Sequence, residues 1–301
     1  MPRTITVGLD GSPESRAAAE WAAREAQLRG MPLKLVQVWE PVPEPMAQAP
    51  HLGAETHQHW TERIPRESAE ELRMRHPGVE VTTEQLTGRP AEALVDAAKD
   101  ADMLVLGSRG PGTIGGFLVG SVGLAVLAHT ERPVVLVRAE QAADKDEADP
   151  AGIPSPATPF RPVLLGLDAG APDAAPIEFA FEAAVRHGVP LRVLHGWNPP
   201  YYYNAYGMSP GPEVTEMVAK SDAAALNEAL KPWREKYPNV VVVTESRCGS
   251  PSLLLIDASR EASLVVVGRR IRRSSLGAHI GTVTHAVLHH ATAPVAVVAH
   301  D

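Results

Sequence analysis

The residues best suited to chemistry lie in one glycine-rich stretch, Gly107-Ser-Arg109-Gly110-Pro-Gly-Thr-Ile-Gly-Gly-Phe-Leu-Val-Gly120-Ser121, which runs through Val122 into an apolar, alanine-rich segment. Written as a pattern it is G-x-x-G-x9-G-S. Glycines let backbone N–H groups come close to an anion, and a helix start presents unpaired N–H donors at positive potential. Ser121 adds a hydroxyl and Arg109 a charge, so the predicted ligand is a di- or triphosphate held mainly by backbone. A plain glycine-rich connection would share the glycine count; placement between a strand and a helix separates the two readings. Asp10, in Val7-Gly-Leu-Asp-Gly-Ser12, directly follows another apolar run. Its carboxylate could accept from ribose hydroxyls or cap the helix that follows. Val38 ends the second apolar run and would offer backbone and an apolar wall to a base, or be a core strand residue only.

The elements that must position these residues are written twice. TITVGLDGS from Thr4 answers RPVLLGLDAG from Arg161, setting Gly8 against Gly166, Asp10 against Asp168 and Trp39 against Trp197, at an offset of 158. Further on, Gly88, Pro90, Asp96 and Gly107 answer Gly249, Pro251, Asp257 and Gly268 at an offset of 161. The charged, Pro-rich stretch 141–159 reads as a linker. The predicted domains are therefore 1–140 and 160–301.

Within the first copy, short β-branched runs alternate with amphipathic segments. The pattern predicts strands at 3–9, 33–38, 79–86, 102–107 and 133–138, with helices at 13–29, about 55–75, 90–100 and about 119–130 between them. Such alternation gives an α/β fold, a parallel sheet with helices on both faces. Unbroken apolar strands such as Met103 to Leu106 fit a sheet covered on both sides. Ligands of open parallel sheets bind outside the strands' carboxyl ends, where the strand order reverses. The loops after the first and fourth strands are the place to look.

The second copy keeps Gly268, Gly281 and Thr282 at the loop ends, but Ile271 replaces the middle glycine, and β-branched residues resist positive φ. Arg269, Arg270, Arg272 and Arg273 bring positive charge there, either for phosphate or as a solvated face. Asp168 and Gly196 match Asp10 and Val38.

Other classes are disfavoured. A net charge of −8 opposes broad nucleic-acid or anionic-membrane binding. Hydrophobic residues at 44% and charged residues at 21% describe an ordinary globular chain. The single cysteine, Cys248, excludes an internal disulfide, and no Cys/His set has zinc spacing. With no leader-like start and no apolar run long enough for a membrane helix, a cytoplasmic location is expected. His51, His57 and His59 lack acidic or thiolate partners at helical spacing and read as surface. His279-Ile-Gly-Thr282 resembles a nucleotidyl-transfer signature in the wrong place, and there is no Walker-type G-x-x-x-x-G-K-[ST]. Four tyrosines in PPYYYNAYG, 199–207, read as an interface, a nucleotide lid or a packed loop.

The D-x-S turn after strand one, joined to G-x-x-G-x9-G-[ST] after strand four, resembles the universal stress protein family, in its tandem two-domain form, over nearly the whole chain. The resemblance implies two doubly wound domains, each a five-stranded parallel sheet of order 3-2-1-4-5, and ATP, with magnesium, as ligand. It places the ribose side on Asp10, the adenine side on Val38, and the phosphates on Gly107, Gly110, Gly120, Ser121 and Val122. It also implies that terminal strands pair between domains as an internal pseudo-dimer, with a homodimer of chains as a further step. The expected function is ATP-dependent regulation in a stress response, nucleotide occupancy setting loop order and contacts with a protein partner. The alternative is a slow ATPase or adenylyl-transferring enzyme of the related nucleotide α-hydrolase-like group, for which Ser121 has no evident base.

Overall fold

The computed structural model describes residues 4–40, 54–108, 119–139, 159–199, 211–271 and 280–301, with side chains in the second of these segments from residue 63 onward. Packing divides the chain into two units, Met1–Thr158 and Pro159–Asp301.

The N-terminal unit runs β1 (Thr4–Leu9), α1 (Pro13–Arg29), β2 (Leu33–Trp39), α2 (Ala54–Arg75), β3 (Val81–Thr87), α3 (Pro90–Lys99), β4 (Ala101–Ser108), α4 (Ser121–His129) and β5 (Val134–Arg138). β1 pairs in parallel with β2 and β4, while β3 lies outside β2 and β5 outside β4, giving the order 3-2-1-4-5. Right-handed crossovers then place α1 and α2 on one face and α3 and α4 on the other. The order reverses between β1 and β4, so the crevice of interest opens beyond their carboxyl ends.

The residues explain the layers. Met103, Leu104 and Val105 of β4 are fully buried, as a central strand covered on both faces requires. α1 meets the sheet with Ala17, Ala18, Ala19, Ala22, Ala23 and Ala26, all buried. Side chains this small let the helix backbone lie close to the strands. Gly30 ends α1 in the left-handed conformation (φ 61°), its N–H reaching the Ala26 and Gln27 carbonyls.

The C-terminal unit repeats the plan with β6 (Val163–Gly166), α5 (Ala174–His187), β7 (Leu191–Trp197), α6 (Pro212–Lys236), β8 (Val242–Cys248), α7 (Pro251–Ala258), a 3-10 turn (Ser259–Glu261), β9 (Leu264–Arg270), α8 (Thr282–His290) and β10 (Val295–His300). β6 pairs with β7 and β9, β8 lies outside β7 and β10 outside β9, all parallel.

Two boundaries differ from the sequence reading by two residues, the others by one at most. The helix expected from about 119 starts at Ser121 with Gly120 as its cap, and β3 starts at Val81 because Val79 closes a turn onto the His76 carbonyl. Arg109, Gly110, Arg272, Arg273, the histidine of the His279 motif and the tyrosine-rich stretch from Pro200 lie outside the described residues, as do His51 and most of the linker. Among the described residues, no helix is long and apolar enough to cross a membrane.

Candidate functional site

Asp10 follows β1 directly and begins a tight turn. Its Oδ1 accepts from the Ser12 amide at 3.0 Å and from the Ser12 hydroxyl at 2.5 Å. Ser12 is the N-cap of α1, its Oγ accepting from the Ser15 amide at 3.1 Å. The helix is thus capped by Ser12, and Asp10 orients the cap rather than supplying it. Burial pulls the Asp10 carboxyl upward, but hydrogen bonds from the Ser12 hydroxyl and amide and from Ser15 outweigh it and hold the carboxyl below its ordinary value. Asp10 is therefore ionised at neutral pH, exposed, and acceptor-only.

Gly107, next to the end of β4, lies under the first turn of α1. A Cβ there would stand 2.6 Å from both the Glu14 carbonyl carbon and the Ser15 backbone nitrogen. This contact locks the Asp10–Ser12 turn onto the end of β4. Gly120, at the other end of the loop, is a different kind of glycine. Its φ of −57° suits any residue, and a Cβ there would meet nothing within 4 Å among the described residues. It caps α4 without a side-chain hydrogen bond. The first amides of α4, those of Ser121 and Val122 among them, therefore keep their N–H groups unbonded within the helix. Ser121 is exposed and Val122 half-buried at this start. Val38 is half-buried near the end of β2, one strand from Asp10. The parallel sheet thus brings Asp10, Val38, Gly107, Gly120, Ser121 and Val122 to one edge. Acceptor carboxylate, apolar strand end and unbonded amides together suit a ligand with hydroxyls, a flat apolar part and an anion.

The C-terminal unit places Asp168, Gly196, Gly268, Gly281 and Thr282 at the equivalent edge, but neighbouring groups crowd two of the glycines, Gly196 and Gly268. α5 starts at Ala174 with Asp173 as its cap, and Asp173 answers Ser15, so the helix lacks the first turn that covers Gly107 in the other unit. The His300 ring takes that place. Its Nε2 would stand 2.8 Å from a Cβ on Gly268, and its Nδ1 lies 3.2 Å from Asp173 Oδ2. The Thr284 hydroxyl donates to the Gly268 carbonyl at 2.9 Å, tying α8 to the end of β9. At Gly196, the residue that matches Val38, a Cβ would lie 2.7 Å from the Pro251 Cα, so the start of α7 leaves no room for a side chain there. Asp168 Oδ1 accepts from the Gly170 amide at 3.0 Å, and Gly170 has no hydroxyl to match Ser12.

One detail corrects the sequence reading of the second loop. Arg269 lies within β9 and is buried, because the strand runs on to Arg270 and alternation turns Arg269 inward. Ile271 does not take a left-handed backbone, since among the described residues only glycines have positive φ; its amide donates to the His300 carbonyl at 2.6 Å. His300, Thr284 and His195 were not singled out from sequence. The available signal was a change of side-chain chemistry between the copies, to His300, Thr284 and His195 from Ala139, Gly123 and Gln37.

Comparison with known proteins identifies the family. The model of the universal stress protein family matches residues 1–138 and 159–299. A universal stress protein of Mycolicibacterium smegmatis is 34% identical over 300 residues, covering 98% of this chain and 96% of its own. One from Mycobacterium tuberculosis is 32% identical over 314 residues, covering 97% and 94%. Among solved structures, a universal stress protein from Archaeoglobus fulgidus superposes with a TM-score of 0.71 at 16% identity, over 99% of this chain and 98% of that one, a likeness of fold. With both halves matched and relatives aligned from end to end, the chain belongs to the universal stress protein family.

Proposed function

We propose that the N-terminal unit binds an adenine nucleotide, ATP in the first instance, and that occupancy rather than turnover is what a protein partner reads in a stress response. The observation that carries this reading is Gly120. Neither its φ nor packing among the described residues calls for glycine, yet it stands where a capping side chain would shield the first amides of α4. A glycine there keeps those amides open to phosphate oxygens. Asp10 takes the ribose hydroxyls and Val38 the base. Among the described residues no group of three His, Cys, Asp or Glu could hold a metal, so a magnesium ion would be carried on the phosphates. The C-terminal crevice, narrowed by His300, Thr284 and Pro251, contributes no site of equal strength.

Calorimetric titration of the full chain with Mg-ATP at pH 8 is the test. One tight site per chain, weakened by Asp10→Ala, is the expected result. Absence of measurable binding to ATP, ADP, AMP and cyclic AMP alike would overturn the reading, and steady turnover of ATP at a catalytic rate would replace it with an enzyme.

A further inference from the structure

The two units differ most in chemistry under the turn that follows their first strand. In the N-terminal unit the buried polar residue on β2 is Gln37, and its Oε1 accepts from the Gln85 side chain on β3 at 3.4 Å. Both groups are neutral at every pH of interest. The same positions in the C-terminal unit are His195 on β7 and Ser246 on β8, which face one another in register.

His195 Nδ1 lies 3.1 Å from the Ala169 backbone nitrogen and 3.1 Å from the Leu167 backbone oxygen. One is a donor and the other an acceptor, so a single ring nitrogen cannot satisfy both. As a lone pair, Nδ1 accepts from the Ala169 amide and opposes the Leu167 carbonyl. As N–H, it donates to Leu167 and opposes the Ala169 amide. On the other side of the ring, Nε2 lies 3.7 Å from Asp222 Oδ2 of α6, which itself accepts from the Ser246 hydroxyl at 2.8 Å. A carboxylate in that position favours the proton on Nε2 of the neutral ring, which leaves Nδ1 free to accept from Ala169. A second proton then has only Nδ1 to occupy.

We propose that His195 is a positioning residue for the Asp168 turn: protonation moves its Nδ1 from the Ala169 amide to the Leu167 carbonyl and so resets the backbone on either side of Asp168. This rests on the reading of the strand ends as a nucleotide crevice, in which Asp168 answers Asp10. The N-terminal turn has no such control, because Gln37 does not titrate. Among the described residues, charged groups on the neighbouring elements have partners of their own. Asp168 is bonded to Gly170, Asp173 of α5 to His300, and Glu178 of α5 to Lys236. Arg192 and Glu245 pair on the opposite face of β7 and β8, as strand alternation from His195 and Ser246 requires. Among the described residues, Cys248, one pleat along β8, is a further titratable group on the ring's own face of the strand.

The test is an NMR pH titration of the full chain without nucleotide, following the His195 ring and the amides of Ala169, Gly170, Gly11 and Ser12 between pH 5 and 8, where histidine charge changes. The Ala169 amide shifts with the same midpoint as the His195 ring, while Gly11 and Ser12 do not follow it. His195→Gln, the residue of the other unit, abolishes the Ala169 titration, and Asp222→Asn moves the two midpoints together. An Ala169 amide that ignores pH, titrates with a different midpoint from the ring, or still titrates in the His195→Gln protein overturns the proposal. Should His195→Gln fail to fold, the wild-type midpoints and Asp222→Asn decide alone. Nucleotide binding is measured separately, so a failed nucleotide titration leaves the amide result standing.

Discussion

Gly107 supports the first turn of α1 so closely that a Cβ on it would overlap the Ser15 backbone nitrogen at 2.6 Å. The obstacle is helix backbone, which cannot rotate away as a side-chain tip can. Gly107→Ala is therefore expected to destabilise the protein by about 1–3 kcal/mol, the usual cost of forcing an extra carbon into a packed site. Gly78→Ala, at a position with nothing within 4 Å, is the matched control and should unfold near the wild-type urea midpoint. Equal midpoints for the two variants would show that α1 can move off β4 without cost.

Gly120 should behave in the opposite way. Its φ is ordinary and the space beside it open, so Gly120→Ser adds a capping hydroxyl at a gain or loss of only a few tenths of a kcal/mol. The same hydroxyl competes with phosphate for the first amides of α4. Affinity for ATP is expected to fall on the order of tenfold, or about 1.4 kcal/mol, with stability unchanged. Calorimetry and urea unfolding on one preparation separate the two effects, and a variant that binds ATP as tightly as wild type would remove Gly120 from the site.

The Asp10 carboxyl is held below its ordinary value, which fixes the sign of its pH dependence. A carboxyl with a depressed folded-state pKa stabilises the fold above its unfolded value, about 3.9, and that contribution is lost as pH falls through the lower, folded value. Replacing Asp10 with Asn removes the contribution. The stability gap between wild type and Asp10→Asn should thus be flat from about pH 5 to 8 and shrink below about pH 4. A gap that widens toward acid would contradict the bonding by Ser12. Ser12→Ala should produce a second effect, loss of the helix cap at a cost of about 1 kcal/mol.

The duplication made much of this legible in advance. Once Gly8, Asp10 and Gly107 align with Gly166, Asp168 and Gly268, one copy's alternation of strands and helices serves for both, and the position of the crevice follows from the sheet. The role of Asp10 was readable only as two alternatives, because a D-x-S turn can cap with either residue; the distances assign the cap to Ser12. His300 was hidden for a different reason. Its effect depends on the missing first turn of α5 and on the pairing of β10 with β9, which together bring it over Gly268, thirty-two positions away in sequence. Arg269 looked like loop charge because the strand's end, not its composition, decides which way the side chain turns.

The last prediction exchanges Val38 and Gly196, the matched residues near the ends of β2 and β7. Gly196→Val installs the residue of the first unit where a Cβ would lie 2.7 Å from the Pro251 backbone, with Leu254 also within 3.1 Å. α7 begins with Pro251, whose fixed φ sets the direction of the helix, so the start of α7 has little freedom to retreat. The exchange is expected to cost about 1–3 kcal/mol. The reverse change, Val38→Gly, meets no such wall; it loses a half-buried side chain and stiffens nothing, at about 1 kcal/mol from strand entropy. If Val38 lines the base, Val38→Gly also weakens ATP binding by more than its effect on stability explains. Differential scanning calorimetry of both variants, with and without ATP, checks the pair. A tolerated Gly196→Val would mean that α7 leaves room for a base after all, and the C-terminal crevice would then have to be counted as a second nucleotide site.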